Sequence, residues 1–134
     1  MNENEIKELL DQFYSFISGK KEVNRNWDKF RELFAPDASL SIVSKDSQLT
    51  TFSVEKYIKR LIEFLSENDF FETGEILSYK IVGNIAQVQS VYNAKRNRED
   101  SNNIKERTNF IQFVREENIW KIKNMLWEDK AQNS

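Results

Sequence analysis

Apolar residues in the first half of the chain recur every three to four positions, and this spacing sets out helices. Ile6, Leu9, Leu10, Phe13 and Ile17 form one stripe, with Lys7, Glu8, Asp11 and Gln12 between them, which predicts a helix over residues 4–18 ended by Ser18-Gly19. A polar connector over 20–25 leads to Trp27, Phe30, Leu33 and Phe34. This is a short second helix that Asn26 caps and that must stop before Pro36, because the residue ahead of a proline is driven out of the helical region. Alternation over 39–43 predicts a short strand at a sheet edge. Val54, Tyr57, Ile58, Leu61, Ile62 and Leu65 then predict a third helix, with Ser53 at its N-cap.

After Asn68 the period changes to two. Strands are expected over 70–82, 85–96, 104–114 and 119–127, with Gly83-Asn84 and Glu116-Glu117-Asn118 as hairpin-sized links and the wholly polar 97–103 as an exposed loop. Helices first and an antiparallel sheet after give an α+β fold, in one domain over 1–134.

Strand parity sorts the side chains. Ala86, Val88, Ser90, Tyr92, Ala94 and Arg96 share a face that runs from apolar to polar, as the lining of a pocket would. Glu72 and Glu75 fall on opposite faces, as do Asn109 and Gln112. In the last strand Trp120, Ile122 and Leu126 fall on one face and Met125 and Trp127 on the other. Large apolar groups on both faces mean that helices cover one and a second copy of the chain covers the other. A bulge in any strand exchanges these assignments.

Composition narrows the chemistry. Ten Phe and three Trp supply a core, and a net charge of −2 gives no field that would gather nucleic acid or an anionic membrane. The chain has no Cys and no His, which removes disulfides, thiolate nucleophiles, imidazole bases and soft metal ligands. With three glycines and no phosphate-loop pattern, no cofactor cradle is expected. No apolar run reaches the ~18 residues of a membrane span. The acidic start, Met1-Asn2-Glu3-Asn4-Glu5, does not resemble a secretory leader, so the expected location is cytoplasmic.

The order of elements, with Trp27-Asp28-Lys29-Phe30 and Leu33-Phe34-Ala35-Pro36-Asp37-Ala38, then Phe71-Glu72, Gly83-Asn84-Ile85-Ala86, Tyr92, Arg96, Asn109, Ile111-Gln112, Trp120 and Trp127, resembles the nuclear transport factor 2-like superfamily, in particular its small SnoaL-like proteins. That resemblance implies a cystatin-like cone, a curved, mostly antiparallel sheet wrapped around three N-terminal helices, with a pocket at the open end and a dimer through the outer sheet face. It also implies a choice among roles. One is binding of a small apolar or carboxylate-bearing molecule. Another is lyase, isomerase or hydrolase chemistry with a carboxylate base, for which Glu72 is the candidate. A third is a dimeric interaction domain whose cone is filled by its own side chains. The expected pocket residues are Tyr14, Trp27, Ser90, Tyr92, Arg96, Asn109, Gln112 and Trp127. Arg96 would clamp a carboxylate and Tyr92 would donate a hydrogen bond.

Overall fold

A computed structural model of the chain describes residues 2–21, 23–95 and 105–128. Its elements run α1 (Asn2–Ile17), α2 (Trp27–Arg31), β1 (Phe34–Val43), β2 (Leu49–Ser53), α3 (Val54–Leu65), β3 (Phe71–Val82), β4 (Ile85–Lys95), β5 (Lys105–Glu116) and β6 (Ile119–Glu128). The six strands form one open, mixed sheet in the order β2-β1-β6-β5-β4-β3. All neighbours are antiparallel except β1 and β6, which run parallel.

The helices end where their capping chemistry says. Asn26 accepts from the Lys29 amide at the start of α2, and Ser53 accepts from the Lys56 amide at the start of α3. The C-terminus of α1 is held by Arg25, whose guanidinium donates to the Phe16 and Ser18 carbonyls at 2.7 and 2.9 Å. Helix α1 lies on the inner face of the sheet, where Phe13, Phe30 and Phe34 pack edge-on or tilted with Leu40, Ile111, Phe113 and Ile122 in a core that is at most 5 % exposed.

Three sequence expectations change. The second helix is shorter than its apolar spacing suggests: Phe34 and Ala35 already belong to β1, and Pro36-Asp37 form an irregularity in the β1–β6 pairing with Asp37 at φ +59°. Proline fits there because the ladder is interrupted between Phe34 and Ser39. The first strand is therefore longer than 39–43, and the edge belongs to β2, a five-residue strand whose pattern is almost wholly exposed and so carries no alternation. The third change is in β6. Gln112 pairs with Asn124 but Phe113 with Ile122, so Lys123 is an extra residue. This bulge puts Trp120, Ile122, Met125 and Trp127 together on the inner face and turns Leu126 outward, at 42 % exposure.

The two hairpins are tight. Val82 pairs with Ile85 across Gly83-Asn84, and Glu116 pairs with Ile119 across Glu117-Asn118, both of which adopt positive φ as a two-residue turn of this hand requires. The expected loop over 97–103 lies outside the described residues. Among the described residues, no helix is long and apolar enough to cross a membrane.

Candidate functional site

The inner face of the sheet becomes polar toward one end of β3, β4 and β5. On β4, Ala86, Val88, Ser90, Tyr92 and Ala94 are all buried on one face. Their cross-strand partners place Glu72 opposite Ala94, Gly74 and Arg107 on either side of Tyr92, and Asn109 beside Ser90. Asn109 in turn pairs with Trp127 of β6. Glu72, Ser90, Arg107 and Asn109 are the buried polar or charged residues among those described, and all four lie at this end.

Two networks organise them. The deeper one centres on Tyr14 of α1, whose hydroxyl accepts from Asn109 Nδ2 at 3.0 Å and shares a hydrogen bond with Ser90 Oγ at 3.1 Å. Its ring lies against Gly74, where any side chain would collide: a Cβ there would stand 2.5 Å from Tyr14 Cε2. The second fixes the start of β3. Ser18 Oγ accepts from the Glu72 amide at 2.8 Å and lies 2.8 and 3.0 Å from the Tyr14 and Glu72 carbonyls, to which it donates. The end of α1 thus sets the backbone that carries Glu72.

Between this polar floor and α3 is a cavity of about 190 Å³. Its wall on the helix side is apolar, with Phe13 and Ile17 of α1, Phe52 of β2, and Tyr57, Leu61 and Phe64 of α3; Phe70, Met125 and Trp127 extend it. The floor is Glu72, Tyr92, Arg107 and Asn109. The exposed Arg60 lines it too, with its guanidinium 4.8 Å from the centre of the Phe52 ring.

The phenols report the electrostatics. Burial pushes Tyr14 up to about 12, with the negative charge of Glu72 adding to the effect and the bonds to Ser90 and Asn109 opposing it. Burial raises Tyr92 further and Glu72 reinforces this, while Arg107, which hydrogen-bonds the phenol, opposes it. Tyr57 is likewise raised, by burial first and then by Glu72. All three are neutral donors at physiological pH. Because a guanidinium only donates, the Tyr92 oxygen accepts from Arg107, and its own proton remains for an acceptor in the cavity.

Of the residues expected from the sequence, Glu72, Tyr92, Asn109 and Trp127 line the cavity. Tyr14 and Ser90 lie behind it, as the support of Asn109. Trp27 does not line it; half-buried, it packs edge-on against Phe30 at 5.4 Å. Gln112 points the other way, because it is odd in phase with Asn109 and Ile111; it is exposed on the outer face and accepts from Asn124 Nδ2. Arg96 lies outside the described residues. Among the described residues the cationic group in the floor is Arg107, which the phase of Arg107, Asn109, Ile111 and Phe113 along one strand identifies.

No family model matches the chain, and no curated protein sequence matches it. Solved structures do. The chain is similar to a cystatin-like protein of unknown function from Nostoc punctiforme, at a TM-score of 0.74 and 17 % identity over 98 % of this chain and 92 % of that one. It is similar to NTF2-like proteins of unknown function from Pseudomonas putida (TM-score 0.72, 13 % identity, 94 % and 84 % covered) and Shewanella baltica (TM-score 0.68, 19 % identity, 96 % and 94 % covered). At such identities the likeness shows the fold.

Proposed function

We propose that this chain, which has the nuclear transport factor 2-like fold, binds a small, partly apolar molecule in the cavity between α3 and the sheet. The observation that carries this reading is the clustering of Glu72, Tyr92, Arg107 and Asn109 on one wall of an otherwise apolar cavity, since convergent polar groups in an apolar hollow are what orient a ligand. At about 190 Å³ the space is below the roughly 300 Å³ of sites for drug-sized molecules, so the ligand is small. An open hollow also speaks against an interior filled by the chain's own Phe and Trp. A fragment screen read by thermal shift and by chemical-shift changes tests the reading: binders should perturb Tyr92, Asn109 and Trp127, and a library of small rings with no binder refutes it.

A second reading rests on Glu72 itself. A carboxylate at 8 % exposure, facing the cavity beside protonated phenols, is placed to remove a proton from a bound molecule while Tyr92 and Asn109 steady the resulting negative charge. Glu72→Gln separates the two readings: binding survives in both, and only in the second does a turnover measured with the wild type disappear.

The outer face supports a homodimer. Phe110 and Leu126 are paired across β5 and β6 and are 54 and 42 % exposed, and Ile85 adds to them at 59 %. Phe110→Glu should shift a dimer to a monomer in sedimentation; a wild type that sediments as a monomer at all concentrations removes this assignment.

A further inference from the structure

One side chain in the floor of the cavity is only half engaged. Asn109 is 3 % exposed, and its amide nitrogen is turned to the Tyr14 hydroxyl behind the floor, to which it donates at 3.0 Å. Its Oδ1 accepts no hydrogen bond from any of the described residues. An amide oxygen this deep is normally paired, because a buried acceptor without a donor has lost its water and gained nothing in return. Among the described residues the fully enclosed side-chain polar atom without a partner is Trp120 Nε1, so Asn109 Oδ1 is not sealed in. The open space that Asn109 borders is the cavity, and whatever occupies the cavity has to supply the donor.

Tyr92 sets the opposite requirement. Its hydroxyl accepts from Arg107, while Glu72 acts on it through charge, so the phenol proton is there for an acceptor. Arg107 stands opposite Tyr92 and Asn109 two residues further along the same face, which makes Tyr92 and Asn109 diagonal neighbours about 7–8 Å apart. One small molecule can meet both. Neither group is charged, and Glu72 and Arg107, which hold further interactions of their own, need not change partners. Size restricts the rest. A hollow of about 150 Å³ lined by aliphatic and aromatic groups accommodates benzene, so the space of about 190 Å³ here holds one ring.

Resting on the ligand-binding reading above, we propose that the ligand is a small lactam, an uncharged ring whose N–H donates to Asn109 Oδ1 and whose carbonyl accepts from the Tyr92 hydroxyl. Ring closure holds the lactam amide cis, so its N–H and carbonyl point to the same side and reach two groups in one wall. An open-chain secondary amide is trans and directs them apart. The apolar remainder of the ring lies against Phe13, Leu61 and Met125.

Three probes decide it, titrated into the intact chain and followed by chemical shifts: δ-valerolactam, cyclohexanone, which keeps the ring and carbonyl but has no N–H, and N-methylacetamide, which keeps the amide but is trans. The lactam should bind on the order of tenfold more tightly than either of the others. Asn109→Leu should abolish its advantage over cyclohexanone, and Tyr92→Phe should weaken lactam and ketone alike. Cyclohexanone or N-methylacetamide binding as tightly as the lactam, or a preference for the lactam that survives Asn109→Leu, overturns the lactam assignment and leaves the ligand-binding reading standing. Binding by none of the three also overturns it, and the ligand-binding reading falls only if the wider library of small rings gives no binder either. The ranking on wild type and on Tyr92→Phe carries the test even if Asn109→Leu, which takes a partner from Tyr14, fails to fold.

Discussion

Gly74→Ala is the smallest change that tests the way α1 sits on the sheet. Gly74 lies in β3 opposite Tyr92, and the Tyr14 ring crosses directly over it. Its φ is not in the left-handed region, so an alanine is not strained in its backbone; in an open strand it would gain about 0.5–1 kcal/mol over glycine. Here the added methyl meets Tyr14 Cε2 at 2.5 Å and Cζ at 2.7 Å, closer than carbon atoms tolerate. Overpacking of this kind costs about 1–3 kcal/mol. The ring cannot retreat freely, because its hydroxyl holds Ser90 and Asn109, which are 0 and 3 % exposed; each buried group left unsatisfied costs about 1–3 kcal/mol more. A net loss of about 2–4 kcal/mol follows, or roughly 3–5 °C in Tm for each kcal/mol in a domain of this size. Urea denaturation of four proteins measures it: wild type, Gly74→Ala, Tyr14→Ala and the double variant. With Tyr14 gone the alanine should be neutral or stabilising, giving a coupling of about 2 kcal/mol or more. Equal effects of Gly74→Ala in both backgrounds would refute the reasoning, as would a Gly74→Ala variant as stable as wild type.

Two further predictions follow from caps and phenols. Ser53→Ala removes the oxygen that satisfies the Lys56 amide and should cost about 1 kcal/mol. Hydrogen exchange should accelerate first in α3, which carries Tyr57, Arg60 and Leu61 to the cavity, and unchanged protection there would sink the prediction. Tyr14 and Tyr92 hold their protons more tightly folded than unfolded, so the stability they contribute is full below pH 10 and is lost as pH rises beyond it. For Tyr14 the loss runs to about pH 12, on the order of 2–3 kcal/mol. Tyrosinate absorbance should therefore rise together with loss of circular dichroism. Ionisation of all the tyrosines near pH 10 in a chain that stays folded would contradict it.

Much of the frame was legible because long elements declare their period. The stripe of α1, the cap at Ser53 and the strands β3 to β6 each follow from spacing and turn chemistry; parity groups Tyr92 with the buried face of β4 and separates Glu72 from Glu75 and Asn109 from Gln112, without saying which of each pair faces inward. What failed, failed locally. Residue Lys123 shifts β6 by one, so Met125 joins Ile122 inside and Leu126 leaves, and parity alone cannot see an insertion. Strand β2 is nearly all exposed and held by its pairing to β1, a contact distant from any local pattern. Phe34 looked helical because an aromatic three or four residues after Phe30 fits either a helix or a buried strand start. Gly74 did carry a signal: a glycine inside an unbroken strand marks the close approach of something else, here the Tyr14 ring.

The position of β6 between β1 and β5 also governs how the protein can be made. Synthesis delivers β1, β2 and α3 early and the β3–β5 meander next, and these two halves share no strand pairing until β6 lies between them. Glu72, Tyr92 and Arg107 belong to one half and Phe52, Tyr57 and Arg60 to the other, so the cavity comes into being only with the docking of Ile119–Glu128. Before that, the unfinished chain presents two open strand edges beyond those of β2 and β3, at β1 and β5, each able to pair with the same edge of a neighbour. A nascent chain halted after residue 118 is thus the form most exposed to aggregation and most in need of a chaperone, and the arrival of one strand removes both hazards together.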